Sequence, residues 1–396
     1  MRRFGLRFIG LVLLLTGSTM ALADQQNRPI LLLAKQMFDG ENFINDAAIL
    51  VAGGHISATG PLALASSTAA EVIDLGDATL LPGFIELHAH SRFQNVPAET
   101  ILRHGVTTIR DVGGPVFPAS GGDGSLRMMT SGPIITAPGG YPITTFGANA
   151  IGVPVATEEQ AREAVRQLIA NGAVVIKVAL EPGAETGAPW TSHHEHAASK
   201  AAPAKKPWPL MSESVVKAIV DEANRYQRKV TAHIGEKNGA RIALNAGITE
   251  WAHMPCAHIP DTLLQKAFAQ QVKIVSTFDT LSKCPGISGN ASRWAALGGE
   301  LLYGAEIAHP DIPWGIDAQE LFYMMHLADM TLVEVLRSAT SKAGSLLGIP
   351  LLGTLATGAP ADIIAVKGSL NKAVKKLEYP DFVMSGGKRV VNSFAN

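Results

Sequence analysis

Cysteine is scarce: Cys256 and Cys284 are the only two in 396 residues. That excludes a disulfide-stapled scaffold and a zinc site built from cysteine alone. The pair closes one bridge if its two segments meet and otherwise remains two thiols, and sequence spacing does not decide between these outcomes. An excess of one charge is lacking too, because 33 Lys and Arg face 34 Asp and Glu. No global field therefore favours nucleic acid or an anionic membrane surface, and the expected partner is a small-molecule substrate. Nothing in the sequence speaks for or against a homo-oligomer. Nor is there an apolar run of the roughly 20 residues that a bilayer-spanning helix needs. The run Phe8 to Leu15 follows Arg2, Arg3 and Arg7 and precedes Ala21-Leu22-Ala23, which reads as a secretory signal over residues 1–23. That reading places the mature chain in the periplasm or outside the cell, without a stable membrane anchor.

What is present is a chain 47% hydrophobic with 39 glycines, the composition of a well-buried globular enzyme with many tight turns. Residues 28–82 hold short β-type runs, Ile30 to Ala34, Ala48 to Val51 and Glu71 to Leu75, separated by Gly, Asn and Asp. The far end is alike, with Ala361 to Val366 and Phe382 to Val391 broken by Ser385-Gly386-Gly387. The expectation is that residues 28–82 and 350–394 pair into one small β-sandwich, leaving residues 83–349 as the large domain.

In that middle, strand-like and helix-like segments alternate, the pattern of parallel βα units. The strand candidates are Phe84 to His88, Val106 to Asp111, Pro133 to Ala137, Val174 to Val178, Lys229 to His233, Ile248 to His253, Val272 to Thr277 and Leu301 to Glu306. Eight is the number that closes a (β/α)8 TIM barrel, so the fold class is α/β. Thr157 to Asn171 and Ser212 to Arg228 read as two of its helices. Residues 183–209 break the alternation; this stretch, with HHEH at 193–196 and Trp190 and Trp208, is either a lid or a plain surface insertion.

Barrel enzymes carry their chemistry at the C-terminal ends of strands. The first candidate strand ends in His88 and His90, whose spacing puts both imidazoles on one face, where they can hold a metal ion. The fourth contains Lys177 inside VVIKV, a costly place for an ammonium unless its charge is paired or removed. His233 and His253 end the fifth and sixth, and Glu306 ends the eighth. Arg110, ending the second, either pairs with a substrate carboxylate or forms a structural ion pair with Asp111. Tyr141, in the loop after the third, is a further substrate contact, while His104, His258 and His326 read as packing or capping residues and His309 as a loop histidine that could also approach the metal site.

These residues come in an order that resembles the amidohydrolase superfamily, in particular its imidazolonepropionase-like and Xaa-Pro dipeptidase-like branch. The text that carries the resemblance is LLPGFIELHAH, HGVTTIRDVGG, GAVVIKV, KVTAHIG, the histidine of EWAH, EVLRSATSKAGSLLGI and LATGAPADIIAV, spread over nearly all of residues 28–392. The resemblance implies that His88 and His90 bind one metal and His233 and His253 a second, with Lys177 carboxylated and bridging. It implies two divalent ions, zinc first among them, and an activated water that cleaves an amide or peptide C–N bond in a dipeptide or N-acyl amino acid. The chain departs from the pattern at its last ligand, where GAE replaces the family's GTD. Glu306 either takes over the metal contact and proton shuttle of that aspartate or alters the activity. Two other readings stay open: a lactone, cyclic amide or phosphoester hydrolase, and a barrel that binds metal or ligand without turnover.

Overall fold

In the computed structural model, residues 28–143, 151–181, 208–309, 311–370 and 373–394 are described. The expected signal at 1–23, Trp190 and the histidines at 193–196 lie outside them. Among the described residues no helix is long and apolar enough to cross a membrane.

Five strands come from the first part of the chain: β1 (Ile30–Phe38), β2 (Phe43–Ala52), β3 (His55–Thr59), β4 (Glu71–Asp74) and β5 (Ala78–Pro82). The β1–β2 turn is tied by the Asp39 carboxylate, which accepts from the Glu41 and Asn42 amides at 2.7 Å each. Gly53 and Gly54, at φ 57° and 80°, make the two-residue turn from β2 into β3, a left-handed pair that glycine adopts without a Cβ clash.

Ten further strands follow: β6 (Phe84–Ala89), β7 (Val106–Asp111), β8 (Arg127–Thr130), β9 (Ile134–Thr136), β10 (Gly152–Pro154), β11 (Ile176–Ala179), β12 (Val230–His233), β13 (Glu250–Trp251), β14 (Lys273–Val275) and β15 (Glu300–Leu302). The last three are β16 (Ile363–Lys367), β17 (Phe382–Ser385) and β18 (Lys388–Asn392). The two ends of the chain do pair: β16 runs antiparallel to β5, with Leu81 opposite Ile364. They form one eight-stranded sheet, ordered β18-β17-β16-β5-β1-β2-β3 with β4 beside β1, where the sequence suggested a two-layer sandwich. The sheet curls until β3 meets the segment before β16, through Ile56 N–H to Ala359 O (2.9 Å) and Ala361 N–H to Gly54 O (2.9 Å). Leu32, Ile49, Ile56, Leu80, Ile363 and Phe382 fill the hollow.

All eight strand segments expected in the middle of the chain are present, and their pairings are parallel. Their ladder is not one closed ring. It divides into a three-stranded sheet, β6-β7-β8, and a seven-stranded sheet, β10-β9-β11-β12-β13-β14-β15. The first seam arises because the third strand breaks at Ser131-Gly132-Pro133: β8 pairs with β7, β9 with β11, and Gly132 turns between them at φ 74°. At the second seam, between β15 and β6, there is one bridge, Ala89 to Ile307, with His90 N–H donating to Ile307 O at 2.9 Å.

The flanking helices follow from capping and periodicity. Glu158–Ala170 begins at Thr157, whose hydroxyl accepts from Gln160 N–H, and buries Ala161, Ala164, Val165 and Leu168 at a one-face spacing. Glu213–Arg225 begins in the same way at Ser212 and ends three residues before the expected Arg228. Cys256 and Cys284 are joined by a disulfide, their Cα atoms 5.0 Å apart. The bridge ties the segment after β13 to the segment after β14.

Candidate metal centre

His88, His233 and His253 are nearly fully buried at the ends of β6, β12 and the segment after β13, and Lys177 is buried on β11. Their orientation is set by partners behind them. His88 Nδ1 donates to Ala252 O at 2.8 Å, which leaves Nε2 facing the centre. His90 Nδ1 faces Gly113 O at 3.4 Å, and a Cβ on Gly113 would stand 2.9 Å from that ring. His253 Nδ1 lies 2.9 Å from Thr277 Oγ1.

In front, the groups converge. The Nε2 atoms of His88 and His90 are 3.2 Å apart, and Lys177 Nζ lies 3.5 Å from His88 Nε2. The His253 ring sits 4.1 Å from that of His88 and 4.7 Å from that of His233. Glu306 Oε1 approaches His90 Nε2 at 3.7 Å. One ligand atom each from His88, His253 and Glu306 lies within 4.8 Å of the others. All six residues expected to bind metal therefore meet at one place.

Burial sets their charge. It holds His88 and His253 well below the ordinary histidine value and His90 at about 3, with nearby groups, Lys177 among them, adding to the effect. These imidazoles are neutral at physiological pH, the form that binds metal. Burial lowers the Lys177 ammonium while Glu306 opposes that shift, and burial raises Glu306 while Lys177 opposes it in turn. Glu306 Oε2 has no hydrogen-bond partner.

The backbone at this rim is unusual. Glu306 and Ala308 have φ 66° and 90°, and Thr277, which is β-branched, has φ 47°. Left-handed non-glycine residues cost on the order of 1–3 kcal/mol each and persist where surrounding structure over-determines them, as at functional sites. Here the conformation turns the Glu306 side chain back toward the histidines.

Tyr141 joins the site: its ring lies 4.7 Å from that of His233, and Thr136 Oγ1 donates to its carbonyl at 2.6 Å. Burial, with Glu306 adding, pushes its phenol well above the ordinary range, so it stays protonated. Trp208 is half-buried, and its neighbour Pro209 abuts Gly140 in the loop leading to Tyr141.

Arg110 is a correction. It pairs neither with open space for a substrate nor with Asp111; Nη1 and Nη2 grip Glu250 on β13 at 3.2 and 2.6 Å, and Nε donates to Leu87 O at 2.9 Å. With the Arg110 side chain 3% exposed, the fork is filled from inside the fold. Asp111 instead accepts from Ser91 Oγ (3.0 Å) and Arg92 N–H (2.9 Å).

Sequence reasoning passed over two neighbours, Thr277 and Glu86, and took a third, His309, chiefly as a loop residue. Thr277 backs His253. His309 lies close enough to influence His90 and His253 electrostatically. Glu86, fully buried, accepts from His88 N–H at 2.7 Å and Ala305 N–H at 2.8 Å. The last had a signal: Glu86, His88 and His90 share one parity along the strand.

The donor set fits divalent metal. It offers neutral imidazoles with their outer nitrogens engaged, a carboxylate with one unpartnered oxygen, and a buried amine whose charge the interior disfavours.

The family model described as the amidohydrolase family matches residues 79–280 and 311–390. The curated ochratoxinase of Aspergillus niger is 27% identical over 301 residues, which cover 69% of this chain and 58% of that protein. The chain thus matches less than two thirds of that relative's length. Among solved structures, A. niger ochratoxinase superposes with a TM-score of 0.74 at 20% identity, covering 92% of this chain and 96% of that one. A Xaa-Pro dipeptidase with bound methionine gives 0.73 at 21%, covering 91% and 99%. At these identities the superpositions speak for the fold.

Proposed function

The chain belongs to the amidohydrolase family, and from that membership we propose that it is a metal-dependent hydrolase of amide or peptide C–N bonds in small substrates, dipeptides or N-acyl amino acids. The observation that carries this is the convergence of His88, His253 and Glu306 ligand atoms within 4.8 Å beside a buried lysine. The architecture it rests on is a (β/α)8 barrel whose strand ends are brought together across two interrupted seams. Its likeness to an ochratoxinase and to a Xaa-Pro dipeptidase supports the choice of bond.

His88 and His90 would hold one divalent ion and His233 and His253 a second, zinc suiting this imidazole and carboxylate set. Carbon dioxide adding to the neutral Lys177 amine, with loss of one proton, would give a further carboxylate ligand and end the cost of an ammonium in the interior. Such ions activate water at neutral pH and polarise a carbonyl.

The chain's own residues do the rest. Burial raises the Glu306 carboxyl toward neutrality, where it can take up a proton at its unpartnered oxygen and pass it to a leaving amine. Tyr141, protonated and stacked beside His233, walls the site and offers a hydroxyl donor to substrate. Export by the residue 1–23 signal belongs to the same reading and fits a disulfide-bonded chain.

Metal analysis of purified protein, followed by a panel of dipeptides, N-acyl amino acids and lactones, tests the reading. Expected are about two ions per chain and turnover of amides that is lost with a chelator and restored by metal. Glu306→Gln should lower kcat by about 10²- to 10⁴-fold while metal remains bound. Turnover of lactones alone, or bound metal with no turnover of any panel member, overturns it.

A further inference from the structure

The ladder between β15 and β6 is nearly absent, yet these strands carry two ligands that must face each other. From β6 comes His88; just past β15 comes Glu306. One backbone bridge, Ala89 to Ile307, joins the segments on the outer side of the site. On the inner side the link is a side chain. Glu86 Oε1 accepts the His88 amide at 2.7 Å and Oε2 accepts the Ala305 amide at 2.8 Å, so one carboxylate spans the gap and holds the residues at and beside both ligands.

The carboxylate lies against Gly304. A Cβ on Gly304 would lie 3.2 Å from Glu86 Oε1, 3.3 Å from His88 Cβ and 2.4 Å from Val275 Cγ1. A glycine at 304 thus lets the segment after β15 lie against Val275 of β14 and against Glu86 and His88 of β6. Two hydrogen bonds accepted by one buried group fix a distance and a direction together.

We propose that Glu86 is a positioning residue: it replaces the missing ladder at this seam and sets the separation and angle between His88 and Glu306. The inference rests on the metal-hydrolase reading above and adds to it a residue that touches neither substrate nor metal. The plain alternative is that Glu86 satisfies two buried amides and does nothing more.

Glu86→Gln tests this, because it keeps the volume but puts an amide NH2 against one of two N–H donors, so one bond is lost. Metal affinity would be measured by chelator competition, together with the visible absorption spectrum of cobalt-loaded protein and the thermal midpoint. Expected are metal affinity about 10- to 100-fold weaker, an altered cobalt spectrum and a lowered kcat at little-changed KM, in protein that still melts cooperatively. A folded Glu86→Gln protein with wild-type affinity and wild-type cobalt spectrum overturns the proposal and leaves the hydrolase reading intact. Wild-type protein that takes up no metal overturns both.

Should the variant fail to fold, hydrogen exchange on wild-type protein decides. The Ala305 amide should be strongly protected without metal and slow further when metal is added. An Ala305 amide that exchanges freely overturns the role assigned to Glu86.

Discussion

Arg110 and Glu250 show what single residues do here apart from chemistry. Both are almost wholly buried and bound to each other through two hydrogen bonds, so removing one leaves a charge without compensation. Breaking such a pair costs roughly 3–5 kcal/mol. Arg110→Ala should therefore lower the unfolding free energy measured by chemical denaturation by about that amount, while KM in the protein that remains folded changes equally for substrates with and without a carboxylate. A selective loss for carboxylate substrates would return Arg110 to the binding site. At this scale legibility depended on distance along the chain. His88 and His90 are two residues apart on a strand, and their shared face follows from the pleat. Lys177 was legible as an anomaly, an amine in an apolar strand. The partner of Arg110 was not, because Glu250 lies 140 residues away and only the fold brings it near. Glu86 was legible by parity but not by role, since the Ala305 amide that gives it one is 219 residues distant.

Among the elements, the helix Ala318–Leu327 carries a device that makes stability depend on pH. Its Glu320, fully buried, accepts from Phe278 N–H at 3.0 Å and Asp279 N–H at 2.7 Å, and so pins the segment after β14 to the helix. Burial raises this carboxyl from 4.5 to about 8, the two amides opposing. The folded state then holds the proton more tightly than the unfolded chain. Stability from this group is complete below about 4.5 and falls as pH rises toward 8, levelling beyond it. Thermal midpoints recorded from pH 5 to 9, as a scan of about that width, should decline, and Glu320→Gln should flatten part of the decline; equal slopes in both proteins would contradict the assignment. Elements were the most readable level of the sequence: eight strand segments and both named helices lie where periodicity and capping put them. What escaped was continuity. A strand broken at Gly132-Pro133 pairs with a different neighbour on each side of the break, and local pattern does not encode which neighbour.

At the scale of the whole molecule, the two chain ends close one sheet around a shared core, and the large domain lies between them in sequence. That pairing was legible because both ends carry short β-type runs between turn residues, although a short helix, Gly60–Ala65, also lies in the first; its form, a single curled sheet, was not, since a strand's alternation says which face is buried and not what covers it. The Cys256–Cys284 bridge was likewise open in the sequence and is settled by the approach of two segments. Thr79 donates to Gly368 O across 289 residues, and this has a consequence for synthesis. During translation β1 to β5 emerge first, and β5 presents an unpaired edge until β16 follows, with the whole large domain made in the interval. An open edge of apolar strand is a template for other chains. A protein ending before Ile363 should thus accumulate as aggregate, and supplying residues 363–394 as a separate peptide during refolding should recover soluble material. Soluble, monomeric protein without them would mean that β5 has some other cover while it waits.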